Sequence, residues 1–186
     1  MKTAIILHGS PSKEEYYNPE FASPSNMHWL PWLQRQLLLE DILAQAPELP
    51  KPYMPSYEGW RSVFERFDVN KDTHLIGHSA GAGFLVRWLS ENKVEVGNVA
   101  LVAPWLDTEG EYNDFLDFSI DGGIVRRSSN IKIFYSTDDD KDVLDSVTTL
   151  KDELKEVEFE KFTDKGHFVL SSMGTEEFPE LRDFII

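Results

Sequence analysis

Gly77-His78-Ser79-Ala80-Gly81 lies between the strand-like His74-Leu75-Ile76 and a helical pattern carried by Ala82, Phe84, Leu85, Val86, Trp88 and Leu89. A strand that turns at once into a helix leaves almost no room for side chains at the turn, because helix and strand pack closely there. Gly77, Ala80, Gly81 and Gly83 meet that demand. The pattern is Gly-x-Ser-x-Gly on a strand–turn–helix junction, the setting in which a serine is presented as a nucleophile. The junction demands a βα unit. The apolar residues around most of the helix demand that this unit be buried.

Other short apolar runs alternate with helical patterns along the chain. Ala4-Ile5-Ile6-Leu7 predicts a strand buried on both faces, ending at His8-Gly9-Ser10-Pro11. Residues 12–26 read as a polar, aromatic-bearing loop, long for a strand-to-helix connection. Residues 26–46 predict one helix with Trp29, Leu33 and Leu37 on a stripe. Tyr53-Met54, framed by prolines, predicts a brief edge strand, and 57–67 another amphipathic helix. Residues 99–103 and 131–135 predict buried strands, while 157–162 alternates apolar with charged residues as a half-exposed strand near a sheet edge does. Val143, Val147, Leu150 and Leu154 mark one later helix; Phe178, Leu181, Phe184 and Ile185 mark the last. Residues 106–127 are irregular, acidic and aromatic, and read as a rudimentary cap over a pocket.

This alternation predicts the α/β class, a three-layer sandwich with a mostly parallel sheet of about six strands and right-handed crossovers. A chain of 186 residues suits one domain, 1–186. No apolar run approaches the roughly 18 residues of a membrane span, so no membrane association is expected. The chain has no cysteine, which excludes disulfides, thiolate catalysis and cysteine-based zinc sites. Met1-Lys2-Thr3-Ala4 runs straight into a strand without a signal-peptide pattern, and the expected location is cytoplasmic. A net charge of −15 repels phosphate backbones, so nucleic acid is excluded as a partner, and no protein partner is indicated.

Ligands of parallel α/β sheets sit at the carboxyl ends of the strands. His8-Gly9-Ser10, the Ser79 turn, Pro104-Trp105, the acidic run from Asp138 and His167 all follow strands and converge there. A serine hydroxyl needs a base, and the base an orienting carboxylate. When the three follow in the order serine, acid, histidine, His167 is the only histidine after the turn. The carboxylate falls in Asp138-Asp139-Asp140-Lys141-Asp142, with Asp142 better suited to cap the following helix. Counted as a calcium loop from Asp138, the run puts valine where the turn glycine belongs and threonine where the bidentate glutamate belongs, so no metal is expected. The backbone N–H groups of Ser10 and Ala80 are the expected oxyanion donors. His8, Tyr16, Tyr17, Phe21, Trp29, Trp32, Trp105 and Phe168 are candidates to line the substrate pocket.

His8-Gly9, the Gly77–Gly81 turn, Phe134-Tyr135-Ser136-Thr137-Asp138-Asp139 and Lys161-Phe162-Thr163-Asp164-Lys165-Gly166-His167-Phe168 together resemble the small serine hydrolases of the retinoblastoma-binding-protein and bacterial YdeN-like type. The resemblance implies a compact α/β-hydrolase with little or no cap, and assigns the triad acid to the second aspartate of Ser-Thr-Asp-Asp, here Asp139. The chain departs from that family after the aspartate, where Asp140-Lys141-Asp142-Val143 replaces a proline-containing stretch, and in the length of 12–26. The expected activity is hydrolysis of a carboxylic ester, thioester or amide of a small-molecule acyl substrate through an acyl-enzyme on Ser79, with no cofactor. The rival expectation is a binding or scaffolding module on a hydrolase fold.

Overall fold

Strands form where runs such as Ile5-Ile6-Leu7 and Val99-Ala100-Leu101-Val102 can be covered on both faces, and in the computed structural model these residues are at most 3% exposed. The structure describes residues 1–110, 112 and 114–186. Among them, β1 (Thr3–Leu7), β2 (Leu43–Gln45), β3 (Thr73–His78), β4 (Val96–Val102), β5 (Ser128–Ser136) and β6 (Glu158–Phe162) form a parallel sheet in the order β2-β1-β3-β4-β5-β6. The helices are α1 (Lys13–Tyr17), α2 (Leu30–Leu39), α3 (Tyr57–Phe64), α4 (Ala80–Glu91), α5 (Ile124–Arg127), α6 (Lys141–Glu153), α7 (Leu170–Met173) and α8 (Pro179–Ile185).

Helices α2 and α8 cover one face, tied through Trp29 and Phe178, whose rings meet edge-on with centroids 5.9 Å apart. Helices α3, α4 and α6 cover the other. There Phe64 of α3 meets Phe84 and Trp88 of α4 edge-on, and α6 reaches the same layer through a hydrogen bond from Trp105 Nε1 to Asp142 Oδ2 (2.8 Å). The alternating strand 157–162 is indeed the edge strand β6.

Four sequence expectations are corrected. The helix expected over 26–46 is a 3-10 turn at Pro24–Asn26 followed by the shorter α2, because Asp41 takes φ 57° and turns the chain back. Residues 43–45 then pair with β1 as the edge strand, with Thr3 opposite Leu43. Tyr53-Met54 is not a strand. Lys51 has φ 46° and its carbonyl accepts from Met54 N–H at 2.9 Å, so this segment is a turn. Residues 12–26 are not a bare loop either, since Ser12 Oγ accepts from Glu15 N–H (3.1 Å) and starts α1. Asp142 lies in the first turn of α6 rather than before it; Asp140 is at the cap position. No helix among the described residues is long and apolar enough to cross a membrane.

The strand order reverses between β1 and β3. The chain leaves β1 toward β2 on one side, then leaves β3 toward β4 on the other, so the loops after β1 and β3 diverge and open a crevice. Leu7 and Gly77 are register partners, which brings His8-Gly9-Ser10 level with the Ser79 turn. The approach is tight: a Cβ on Gly81 would lie 2.5 Å from the His8 carbonyl oxygen and 2.7 Å from that of Leu7. Gly81→Ala must therefore push the loop after β1 away from α4. The expected cost is about 1–3 kcal/mol by urea unfolding, as for overpacking of a filled core, with a loss of activity beyond that of equally destabilised variants elsewhere. Unchanged stability would show that the gap tolerates a methyl group.

Candidate active site

Ser79 occupies φ 54° and ψ −120°, a backbone region costly for a residue with a side chain. Hydrogen bonds hold it there. Its N–H donates to the Val102 carbonyl at 2.9 Å, and its carbonyl accepts from Gly83 N–H at 3.1 Å and Trp105 N–H at 3.2 Å. The turn thus fastens β3, β4 and α4 together and leaves the serine side chain on the wall of a cavity of about 660 Å³. Gly77 serves the same turn, for a Cβ there would lie 2.6 Å from the backbone of Ala82.

His167 lines the same cavity. Its Nδ1 lies 3.0 and 3.1 Å from the two carboxylate oxygens of Asp139, whose side chain is 1% exposed. A carboxylate accepts, so Nδ1 carries the proton and Nε2 is left as the acceptor a base requires. Among the described residues the Ser79 hydroxyl makes no hydrogen bond. Asp138 has a different task. Its Oδ1 accepts from Ser136 Oγ and, at 3.0 Å, from Gly166 N–H, while Ser136 Oγ accepts from Lys165 N–H at 3.0 Å. The Ser136 hydroxyl first, then the Gly166 amide, hold the Asp138 carboxyl below the usual aspartate range. Asp138 pins the loop; Asp139 meets the ring.

The two amides expected to face an oxyanion flank Ser79. Ala80 is the first residue of α4, so its N–H has no acceptor within the helix, and the helix dipole adds positive potential. Ser10 lines the cavity beyond Gly9, at which a Cβ would lie 3.0 Å from Ser79 Cβ.

Of the aromatic residues expected in the pocket, only His8 and Phe21 line this cavity, and His8 is held for structure. Its Nε2 accepts from Leu49 N–H at 2.9 Å, its Nδ1 donates to the Gly9 carbonyl at 2.8 Å, and burial lowers its pKa. Trp29 and Phe168 are fully buried, the latter stacked on Phe178 with centroids 5.4 Å apart. Trp105 is buried beyond α4 and bonded to Asp142. Tyr16 packs against Tyr17 and Tyr53 outside the cavity. Beside Phe21, the apolar part of the wall is supplied by Ala22, Met27, Leu30, Val169 and Leu170. The region 106–127 is no cap over this cavity. Phe115 packs edge-on against Trp60 (4.9 Å) and its carbonyl accepts from Arg87 Nη1 (2.9 Å), so it covers α3 and α4; Glu111 and Asn113 of the expected cap lie outside the described residues.

Sequence reasoning passed over a row of histidines. His28, His78 and His167 all line the cavity, with ring centroids 6.0 Å apart between the first two and 5.1 Å between the last two. Burial, and then the neighbouring His167, drive His78 well below the ordinary histidine pKa; the same two causes lower His28. The signal for His78 was its place in Gly-His-Ser, but its partner is 89 residues away. For His28 no local pattern exists. Among the described residues no cluster of three metal-ligating side chains could hold an ion.

This site belongs to a fold seen before. Over 137 residues the chain is 25% identical to YdeN of Bacillus subtilis (strain 168), covering 70% of this chain and 72% of that protein. The crystal structure of the B. subtilis ydeN gene product superposes with a TM-score of 0.82 at 24% identity, over 98% of this chain and 96% of that one. Est1E from Butyrivibrio proteoclasticus, solved with ferulic acid bound, gives 0.62 at 12% identity, over 98% and 90%. The model of the serine hydrolase family matches residues 18–185. The fold is therefore that of the α/β hydrolases, and the chain belongs to the serine hydrolase family.

Proposed function

We propose that this hydrolase cleaves carboxylic esters, and thioesters or amides of similar reactivity, through an acyl-enzyme on Ser79. The observation that carries the reading is the Asp139 carboxylate on His167 Nδ1, with His167 and Ser79 lining one cavity. His167 Nε2 takes the hydroxyl proton as Ser79 Oγ attacks the acyl carbonyl. The imidazolium returns that proton to the departing alcohol, thiol or amine as its bond to the acyl carbon breaks. Water, deprotonated by the same Nε2, then releases the acid and restores Ser79. Asp139 holds the imidazole in the working tautomer and stabilises its cation. The amides of Ser10 and Ala80 stabilise the oxyanion in both halves.

The cavity narrows the substrate class. Part of its wall is apolar (Phe21, Ala22, Met27, Leu30, Val169 and Leu170), while Glu15, Glu20 and Glu176 put carboxylates on its lining. Neutral, partly apolar esters fit this site; anionic ones enter against the field of a chain with net charge −15.

Ser79→Ala is expected to remove turnover of a p-nitrophenyl ester by several orders of magnitude and to abolish fluorophosphonate labelling, with circular dichroism unchanged. His167→Ala should lose a similar amount. The double variant should be little worse than either, because members of a triad act as a unit; multiplied losses would separate the two residues. Between the aspartates, Asp139→Asn should lower kcat by about 10²–10⁴-fold, since an amide allows the wrong imidazole tautomer. Asp138→Asn should cost far less, through the loop alone. A larger loss at Asp138 would transfer the orienting role to it. For substrate charge, kcat/KM should be lower for an ester bearing a carboxylate than for its neutral isostere. That gap should shrink as salt rises to about 1 M, where screening acts over about 3 Å; a gap insensitive to salt would assign the discrimination to shape.

A further inference from the structure

His78 stands immediately before the nucleophile, and its ring is buried at the meeting point of β3 with the loop after β6. Its Nε2 lies 2.8 Å from the backbone carbonyl oxygen of His167. A carbonyl only accepts, so Nε2 carries the hydrogen and His78 donates. The loop that receives this bond is otherwise fixed from the far side. Asp138 and Ser136 hold the amides of Gly166 and Lys165, Asp139 holds the His167 ring, and Phe168 is anchored by stacking on Phe178. Gly166 and Phe168, on either side of His167, both have positive φ (49° and 56°), a turn that needs such fixing. None of those other bonds comes from β3. The β3 strand reaches the base through His78.

We infer that His78 is a positioning residue that sets the spacing between Ser79 and His167, by tying the carbonyl of the base to the strand that carries the nucleophile. This rests on His167 being the base of Ser79. Burial against Trp29, with ring centroids 5.8 Å apart, keeps the His78 ring in one orientation. Its neutrality leaves the charge formed during turnover on His167 alone. Without the donor, the His167 carbonyl loses its partner on β3, and the loop is free to shift out of the geometry that proton transfer requires.

The test measures kcat and KM on a neutral p-nitrophenyl ester for His78→Leu, His78→Gln and His78→Asn, with active sites counted by fluorophosphonate titration. Glutamine places an N–H near the position of imidazole Nε2; asparagine falls short of it. Counting sites separates a poorly folded population from slow turnover per folded molecule. His78→Leu should lower kcat per titrated site by about tenfold or more, with KM changed less than about twofold, as expected when a hydrogen bond that orients the reacting groups is lost. His78→Gln should recover most of that loss and His78→Asn should not. In the wild type the low-field proton resonance of the His167 Nδ1–H···Asp139 bond should be sharp, and in His78→Leu it should broaden. An unchanged kcat per site in His78→Leu overturns the inference, and so does equal turnover of the Gln and Asn variants, a comparison that stands even if the Leu variant does not fold. Turnover retained by Ser79→Ala would sink the catalytic reading and this inference together. Loss in Ser79→Ala with normal His78 variants would sink this inference alone.

Discussion

The Ser79 turn is a strained point in the backbone on which the arrangement of the whole strand-end surface depends. A residue at φ 54° and ψ −120° costs on the order of 1–3 kcal/mol and persists only where its surroundings over-determine it. Here they do. Val102 at the end of β4, Trp105 beyond it and Gly83 inside α4 all bond to Ser79, and Gly81 lets the carbonyls of Leu7 and His8 approach the start of the helix. The turn therefore locks β1, β3, β4 and α4 into one body. The geometry of the turn needs no separate support, because relaxing Ser79 would break contacts that the sheet ends already require.

The second half of the site is built by division of labour between neighbours. Asp138 and Asp139 are adjacent on one turn, so their side chains point in different directions, one outward and one into the protein. The outward one collects Ser136 Oγ and the Gly166 amide, which shapes the loop. The inward one, with its side chain 1% exposed, has the His167 ring as its partner. Two carboxylates on one function would repel each other; on two functions, each is neutralised by its own donors.

How much of this could be read beforehand follows from where the deciding interactions lie. The turn, the parallel class and the β6 edge are local patterns of residue size and polarity, and they were legible. The choice of Asp139 over Asp138 was open from the residues and came from the family resemblance; the carboxylate on the His167 ring is that of Asp139. The β2 strand was not legible. Ile42-Leu43-Ala44 continues the apolar spacing of α2, and only the turn at Asp41 and the free edge of β1 convert it to a strand. The pocket was misread for a related reason. Trp29, Trp105 and Phe168 were chosen for their size, yet large aromatic side chains contribute most when fully buried, so the core takes them first.

What lines the cavity is then decided by chain path rather than by residue type. The residues Phe21, Ala22 and Met27 reach Ser79 because the segment leaving β1 must travel to β2, away from β3, and its slack folds over the crevice between them. Glu48 fastens that slack. Its Oε1 accepts from Ser25 N–H at 2.9 Å and Ser25 Oγ–H at 2.6 Å, and its other oxygen lies 3.7 Å from His8 Nε2. Burial pushes the Glu48 carboxyl up, but the Ser25 and Ser23 donors outweigh it and bring it below the ordinary glutamate range, so it stays ionised on these partners. The Glu48 carboxylate thus holds Ser25, between the lining residues Pro24 and Asn26, while the next residue, Leu49, donates its N–H to His8 Nε2 at 2.9 Å and ties the same stretch to the loop that carries Ser10. The same strand-order reversal that creates the crevice supplies the segment that lines it.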